Sequence, residues 1–307
     1  MCIEKLITDL KTKLPGAIWE NLPLASKTTF KIGGAARVLA EPCDIKELKQ
    51  IIRLCNKHGI EYLVLGAGSN LLVSDLGVPD KLIVSLNRFN RIEPVGNNQF
   101  RAEAGAKLAA AGRFAENNSL GGMEWAVGIP ASVGGAVYMN AGAFSGDMSK
   151  VVQSVTVLKN NKIEVWESNK LCFDYRQSVF KIARKCVIIS ALLNLEFRRH
   201  ELITKKTKNY ILRRAQSQGV GYPSAGSVFK RSPEVIPAQL IDQMGLKGLS
   251  AGAAEISKVH SGYIVNTGKA TAADVYDLIK KVQKLVYKKH KIRLVPEIEM
   301  WGEFNKK

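Results

Sequence analysis

Residues suited to holding a flat ligand are concentrated at positions 121–147, with the sequence GGMEWAVGIPASVGGAVYMNAGAFSGD. This stretch holds seven glycines and five alanines and almost no charge. Glycine has no Cβ atom, so it occurs where the backbone takes a positive φ or closely approaches another group. That group could be a packed strand or a ligand. Because Trp125, Tyr138 and Asn140 interrupt the small residues, we favour a flat ligand lying against backbone amides.

A second glycine-rich loop, Gly66-Ala67-Gly68-Ser69-Asn70, follows a predicted strand. It does not complete the dinucleotide fingerprint GxGxxG, because Leu71 stands where the third glycine belongs and the next residues predict a strand, not a helix. Two glycines beside serine and asparagine still allow backbone amides to converge on an anion such as a pyrophosphate. A tight turn between strands explains the same residues equally well.

Three further positions have side chains suited to proton transfer or charge stabilisation. Ser227 and Lys230 match the spacing Ser-x-x-Lys, but the companion motifs Ser-Asp-Asn and Lys-Thr-Gly do not follow. The serine is therefore a candidate acid, nucleophile or phosphate ligand. Arg176 lies between an aromatic residue and polar neighbours, and Glu297 comes late in a strand. Taken alone, both patterns favour solvent-exposed residues.

Other motifs exclude some classes of site. The segment NTGKAT at 266–271 resembles a phosphate-binding loop, but Ala270 stands where that motif needs serine or threonine. The four histidines are widely spaced, and the five cysteines are scattered with no CxxC pair. We therefore expect reduced thiols, no disulfide framework and no metal site.

The chain has 307 residues, 46% of them hydrophobic, and a net charge of +18. Such an excess of cations suits nucleic acid, an anionic surface or phosphorylated metabolites. Because the basic patches are not interleaved with aromatic residues, we favour anionic metabolites over nucleic acid. No apolar run reaches about 18 residues and the N-terminus has no apolar signal core, so a cytosolic location without membrane insertion is expected.

The apolar periodicity predicts alternating strands and helices around these residues. Predicted helices follow Asp44 and Thr271 as capping residues, span 107–118 and 198–215, and begin at Ser232-Pro233. Predicted strands cover 28–32, 36–40, 62–65, 71–86, 186–197 and 293–302, and a hairpin at 151–166 turns at Asn160-Asn161. A composition shift near residue 197 indicates a second domain.

Eight segments in order carry a family resemblance: TTFKIGG, LGAGSNLLVSD, GIPASVGGAVYMNAGAFSGD, FDYRQS, YPSAGSVFK, GLKGLSAGAAEIS, HSGYIVN and LVPEIE. Together they resemble the bacterial UDP-N-acetylenolpyruvoylglucosamine reductase family, also called UDP-N-acetylmuramate dehydrogenase, over residues 22–301. The resemblance implies an α+β fold with an FAD-binding domain of the vanillyl-alcohol-oxidase (PCMH) type at 1–200, in subdomains of about 1–68 and 69–200. A smaller α+β domain at 201–290 would bind the UDP-sugar, and residues 291–307 would return as a strand to the active site.

The same resemblance implies a role for each chemical residue. NADPH would reduce FAD, and hydride from flavin N5 would then add to the enolpyruvyl group of the UDP-sugar. Arg176 would stabilise the negative charge that develops beside the substrate carboxylate, Ser227 would donate the proton, and Glu297 would polarise or relay it. Preorganised positive charge at such a point is usually the largest catalytic contribution.

The resemblance also implies the binding residues. Tyr175, Tyr222 and Lys230 are expected to contact the substrate. The FAD-binding residues are expected to be Gly66, Ala67, Gly68, Ser69, Asn70, Leu71, Gly128, Ile129, Pro130, Ser132, Gly134, Gly135, Ala136, Asn140, Gly142 and Gly146.

The chain departs from the family pattern in two places. It resembles the family type that lacks an extra tyrosine-bearing loop, and Gln218-Gly219-Val220 replaces the usual Gln-Pro-Leu. A monomer acting on small molecules is expected. Two other functions stay open, namely a sugar or lactone oxidase of the same fold and a basic, non-enzymatic protein that binds nucleotides or nucleic acid.

Overall fold

The structure is a computed structural model that describes residues 2–183, 185–218 and 221–304. The chain forms two compact units, and each is built from separate segments. Unit 1 contains the segments that end at Trp19, run from Val38 to Ala67 and run from Lys81 to Arg213. Unit 2 contains Glu20–Arg37, Gly68–Asp80 and the segment that begins at Arg214. Each unit has its own buried apolar core.

The helices follow local capping signals. In α2, Asp44 accepts a hydrogen bond from the Glu47 amide at 2.8 Å, and the helix ends at Gly59 with φ 64°. In α7, Thr271 and Asp274 form a reciprocal capping box. The helices of the described residues are α1 Cys2–Lys13, α2 Ile45–His58, α3 Leu108–Asn117, α4 Val133–Met139, α5 His200–Gln218, α6 Pro237–Gln243 and α7 Ala272–His290.

The strands complete an α+β fold, which confirms the predicted fold class. In the described residues they are β1 Ile18–Pro23, β2 Ala35–Ala40, β3 Tyr62–Leu65, β4 Leu71–Val73, β5 Val78–Ser85, β6 Ile92–Gly96, β7 Gln99–Glu103, β8 Leu120–Gly121, β9 Gly142–Ala143, β10 Gly146–Asp147, β11 Val152–Lys159, β12 Lys162–Glu167, β13 Cys186–Asn194, β14 Glu196–Phe197, β15 Ser224–Ser227, β16 Ser250–Ala251, β17 Ala254–Ile256, β18 Tyr263–Asn266 and β19 Glu299–Trp301.

Two antiparallel sheets characterise the units. Unit 1 contains a five-stranded sheet in the order β12-β11-β13-β7-β6, and unit 2 a four-stranded sheet in the order β15-β18-β17-β16. In unit 1, β3 and β5 pair in parallel with Tyr62 opposite Leu82, and β5 lies between β3 and β2 in their sheet. Asn160 and Asn161 take φ of 47° and 63° in the predicted hairpin turn, which connects β11 to β12.

Several predicted elements are wrong, and each correction has a local cause. Residues 28–32 form a turn and not a strand, because the Thr28 hydroxyl bonds to the Ile32 carbonyl at 3.0 Å. The predicted strand 71–86 is two strands, since Gly77 turns between β4 and β5 with φ 73°. The helix predicted from Ser232 begins at Pro237, because Ser232 and Val235 close a separate turn.

Two predicted long strands are shorter than expected. The strand predicted at 186–197 is interrupted at Leu195, between β13 and β14. Of the strand predicted at 293–302, only β19 is regular, and it pairs in parallel with β4. Pro296 contributes an isolated bridge to Phe229 instead.

Candidate active site

The glycine-rich loop at 66–70 passes from unit 1 into unit 2 between Ala67 and Gly68. In unit 1, a Cβ atom on Gly66 would lie 2.5 Å from the Oγ atom of Ser132. Ser132 is only 4% exposed, and its hydroxyl accepts a hydrogen bond from the Gly135 amide at 3.2 Å. The end of β3 is therefore held against the first turn of α4 so closely that only glycine fits.

The second half of this loop is equally restricted within unit 2. Gly68 takes φ 62°, and a Cβ atom there would overlap the carbonyl oxygen of Lys27. The Thr29 amide donates to the Gly68 carbonyl at 3.2 Å, and the Thr29 hydroxyl donates to the Ser224 carbonyl at 2.7 Å. Thr29 thus connects the loop to the strand that carries Ser227.

The stretch 121–147 presents backbone in place of large side chains. Its hairpin of β9 and β10 turns at Phe144 and Ser145, which have φ of 51° and 64°. Gly146 packs against the Trp125 ring, and Asn140 ends α4 in the left-handed region with φ 43°. Such conformations in residues other than glycine are uncommon and occur often at functional sites.

Arg176 is fixed against this stretch inside unit 1. Its guanidinium donates to the Gly142 carbonyl at 3.0 Å and to the Asn140 carbonyl at 3.4 Å. The Asn140 side-chain amide in turn donates to the Asp174 carbonyl at 3.0 Å. The Tyr175 ring lies 5.0 Å from the guanidinium carbon, and Arg176 itself has φ 54°. The arginine that sequence pattern alone would leave at the surface is held in a defined position by carbonyl groups.

Ser227 and Glu297 come together inside unit 2 through three backbone contacts. The Glu297 amide donates to the Val228 carbonyl at 2.7 Å, and the Lys230 amide donates to the Val295 carbonyl at 2.8 Å. Between these bonds, Phe229 and Pro296 form an isolated bridge. The segment after β15 is therefore paired with the segment before β19, and the half-buried Ser227 and Glu297 belong to this pairing.

Asn70 joins the same group in unit 2. Its side-chain amide donates to the Glu297 carbonyl at 3.1 Å, and its own carbonyl accepts from the Glu299 amide at 2.8 Å. The loop predicted to bind a pyrophosphate is thereby connected to a residue predicted to act in proton transfer.

The structure distributes the predicted site residues between the units. Of the substrate residues, Tyr175 lies in unit 1 and is exposed, whereas Tyr222, 61% exposed, and the half-buried Lys230 lie in unit 2. Gly219 and Val220, part of the predicted departure from the family pattern, lie outside the described residues. Unit 1 contains Arg176 and the FAD-binding candidates Gly66, Ala67, Gly128, Ile129, Pro130, Ser132, Gly134, Gly135, Ala136, Asn140, Gly142 and Gly146. Unit 2 contains Ser227, Glu297 and the FAD-binding candidates Gly68, Ser69, Asn70 and Leu71.

Sequence reasoning missed three residues that the structure places near the unit 2 group. Thr29 lies in the segment 28–32, which the sequence predicts as a strand, and has the connecting role described above. Burial lowers the pKa of Arg214, which interacts electrostatically with Tyr263, and Tyr263 is opposite Ser227 in the sheet. Burial also lowers the pKa of His260, whose ring lies 4.6 Å from the Tyr263 ring. Thr29 and His260 lie in the family segments TTFKIGG and HSGYIVN, and Arg214 lies in the predicted helix 198–215, but none of these patterns indicated a role for the individual residue.

In the part of the chain that the structure describes, no cluster of three or more His, Cys, Asp or Glu side chains could hold a metal ion. Among the same residues, no helix is both long and apolar enough to cross a membrane.

Comparison with known proteins gives two family matches. Residues 36–164 match the FAD binding domain family, and residues 218–301 match the UDP-N-acetylenolpyruvoylglucosamine reductase, C-terminal domain family. The order of an FAD-binding domain and a second α+β domain is thereby confirmed.

Individual relatives extend the match over nearly the whole chain. A UDP-N-acetylenolpyruvoylglucosamine reductase of Caldanaerobacter subterraneus is 41% identical over 98% of this chain and 99% of its own length. The reductase of Caldicellulosiruptor bescii is 43% identical over 92% and 90%. The crystal structure of the reductase from Thermus caldophilus superimposes with a TM-score of 0.79 at 34% identity, covering 91% of this chain and 97% of the other.

Proposed function

Because this chain belongs to the UDP-N-acetylenolpyruvoylglucosamine reductase family, we propose that it is an FAD-dependent oxidoreductase that reduces UDP-N-acetylglucosamine enolpyruvate to UDP-N-acetylmuramate. This is a step in the synthesis of peptidoglycan precursors, and we place it in the cytosol with NADPH as electron donor. The observation that carries the proposal is identity of about 40% over nearly the full length of curated reductases. The resemblance in ordered motifs and the family matches agree with it.

The residues present fit a bound flavin. Gly66 and Gly68 stand where a Cβ atom would overlap Ser132 or Lys27, so packing against these residues fixes the path of the loop and leaves no side chain at either position. The stretch 121–147 likewise offers amides and carbonyls with few charged side chains. We propose that these two segments hold FAD and that residues 1–200 form its domain. When bound, the flavin supplies hydride to the substrate.

We assign Arg176 to charge stabilisation. Reduction of the enolpyruvyl group develops negative charge on the carbon beside the carboxylate, and a fixed guanidinium lowers the energy of that charge. The hydrogen bonds from Arg176 to the Asn140 and Gly142 carbonyls keep the cation in one position before the reaction. A preorganised charge requires no reorganisation during the reaction and therefore stabilises the transition state more than a mobile charge does.

We assign Ser227 to proton donation, with Glu297 as its polarising or relay partner. A serine hydroxyl is a weak acid, so it transfers a proton effectively only to a strongly basic carbanion or within a strong local field. The backbone pairing of the two segments supports this assignment, since it keeps Glu297 beside the strand of Ser227. Substrate contacts from Tyr175, Tyr222 and Lys230 are part of the same proposal, with residues 201–290 as the UDP-sugar domain and 291–307 returning to the site.

The half-buried Arg214 supports the binding of an anionic substrate. Burial disfavours the charged form of its guanidinium. An anionic group of the UDP-sugar would offset this penalty, because a partly buried charge is stabilised by an opposite charge nearby.

The visible spectrum of the purified protein tests the proposal in two steps. We expect flavin absorbance that NADPH bleaches and that UDP-N-acetylglucosamine enolpyruvate restores in the absence of oxygen. Folded protein without flavin absorbance would refute FAD binding. A different outcome would identify an oxidase of the same fold. In that case NADPH would not reduce the flavin and the UDP-sugar would not reoxidise it, but flavin reduced by a simple sugar would reoxidise rapidly with oxygen.

A further inference from the structure

The C-terminal half of α7 has a basic face, and the exposed Asp277 precedes it one turn earlier on the same side of the helix. Between Leu278 and Pro296 the chain has six lysines and one arginine and no aspartate or glutamate. Since an α-helix turns by about 100° per residue, Lys280, Lys281, Lys284 and Lys288 project within an arc of about 100°. All four are exposed. We call this set, with Lys291, the α7 basic face.

The opposite side of α7 is fixed in the core of unit 2. Val275, Leu278, Ile279, Val282 and Val286 are fully buried there. The basic face therefore cannot rotate inward, and its lysines remain directed to solvent along the C-terminal half of the helix. In the described residues no ion pair neutralises Lys281, Lys284 or Lys288.

The end of the face adds an aromatic ring between cations. Tyr287 is 43% exposed, with the Lys291 ammonium 5.8 Å and the Arg293 guanidinium 5.5 Å from its ring. A tyrosine with an apolar ring and a polar hydroxyl suits the boundary between lipid headgroups and water.

We propose that the α7 basic face is a docking surface for the anionic headgroups of a phospholipid bilayer. Clusters of four to eight lysines and arginines on a helix bind anionic lipid electrostatically. The buried apolar stripe leaves no hydrophobic face to insert, so the attachment is peripheral and reversible. This surface is separate from the proposed flavin chemistry and does not depend on it.

A bilayer suits the face better than a nucleic acid does. Base readout in nucleic acids typically uses bidentate arginine or amide side chains, and this stretch has only Arg293 among its arginines. Gln283, the one amide side chain between Leu278 and Pro296, donates to the Leu294 carbonyl at 2.8 Å. The face thus has cations that can bind the phosphate groups of a lipid surface. Its one amide side chain is already bonded to the protein and is not directed outward to form hydrogen bonds with base edges.

Vesicle sedimentation with the full flavoprotein tests the proposal. We expect binding to phosphatidylcholine vesicles that contain about 30% phosphatidylglycerol at about 0.05 M NaCl, none to pure phosphatidylcholine, and release at about 0.5 M NaCl. The combined substitutions Lys281→Gln, Lys284→Gln and Lys288→Gln should weaken binding by about tenfold or more. The far-ultraviolet circular dichroism and the urea midpoint of this variant should match those of the wild type, which shows that it is folded.

The matched control removes three exposed lysines from unit 1, with Lys5→Gln, Lys46→Gln and Lys162→Gln. We expect less than about a twofold loss of vesicle binding for this variant. An equal loss in both triple variants would overturn the proposal in favour of net charge alone. Equal binding to neutral vesicles, or retention on double-stranded DNA that exceeds vesicle binding and depends on the same three lysines, would also overturn it.

Discussion

The backbone amide of Glu297 donates a 2.7 Å hydrogen bond to the carbonyl oxygen of Val228. This bond joins positions far apart in the sequence and sets Glu297 beside the strand that ends at Ser227. Because the contact is made by backbone, a change in the Ser227 side chain should leave it intact. The serine can therefore be tested without disturbing the segment that positions it.

Ser227→Ala should leave reduction of the flavin by NADPH unchanged. It should slow reoxidation of the flavin by the UDP-sugar by about 10² to 10⁴, the usual contribution of a positioned proton donor. Stopped-flow absorbance measures the two half-reactions separately. Ser250→Ala, at an exposed serine of β16 in the same unit, is the control. An equal loss of both half-reactions would contradict a proton-donor role.

Arg176→Lys should slow the sugar half-reaction by about 10² to 10³ while the flavin content stays normal. Lysine keeps the charge, but its single ammonium cannot reproduce the planar guanidinium that contacts the Asn140 and Gly142 carbonyls. The control is Arg88→Lys, at an exposed position. A variant with wild-type kinetics would show that a fixed guanidinium is not needed.

Gly66→Ala should lower the ratio of flavin to protein and the melting temperature. The new methyl group would lie 2.5 Å from Ser132 Oγ, which must then give up its hydrogen bond from the Gly135 amide. Loss of such a cap destabilises a protein by about 1 kcal/mol. Gly96→Ala, where a Cβ atom meets only Gln99 at 3.8 Å, is the matched control.

The cause of this effect can be isolated with a double mutant. Ser132→Ala removes the hydroxyl that Gly66→Ala would contact, so the double variant should be no less stable than Ser132→Ala alone. Additive losses would mean that Gly66 is needed for a reason other than its contact with Ser132.

Signals within a few residues predicted much of the fold. Asp44 with Glu47, Thr271 with Asp274, and the asparagine pair between β11 and β12 each act over less than one helical turn or one hairpin. The structure confirms all three elements. Local propensity was sufficient there because the partner groups are close in sequence.

Contacts between distant residues could not be predicted in this way. Thr29 bonds to Gly68 and Ser224, and no periodicity in residues 28–32 indicates either partner. For the same reason, alternation predicted a long strand at 293–302, whereas pairing with Phe229 and Asn70 determines the path of those residues. The roles of Arg176, Ser227 and Glu297 came from the family resemblance and not from their spacing.

Asp9→Asn should destabilise the protein near neutral pH. The Asp9 carboxylate accepts hydrogen bonds from Lys57 and His58, each at 2.9 Å, and these bonds lower its pKa from 3.8 to about 2. A carboxyl with a lower pKa in the folded chain stabilises the fold above its unfolded pKa, and this contribution is lost as the pH falls toward 2. The urea midpoints of variant and wild type should therefore differ at about pH 7 and converge at about pH 2. Asp80→Asn, at an exposed carboxylate, is the control. Its urea midpoint should equal that of the wild type at both pH values.

Thr29→Val should weaken flavin retention without altering the residues proposed for catalysis. Valine matches threonine in shape but lacks the hydroxyl that donates to the Ser224 carbonyl at 2.7 Å. The Ser224 carbonyl loses this donor, which typically reduces stability by about 1 kcal/mol, and Gly68 loses part of its support in the loop proposed to hold FAD. Equilibrium dialysis of flavin and urea unfolding measure the two effects. Thr8→Val removes a hydroxyl that donates to the Glu4 carbonyl at 3.1 Å on the exposed surface of α1, and it should change neither quantity. If Thr29→Val and Thr8→Val retain flavin equally, the Thr29 hydrogen bond contributes to the fold but not to FAD binding.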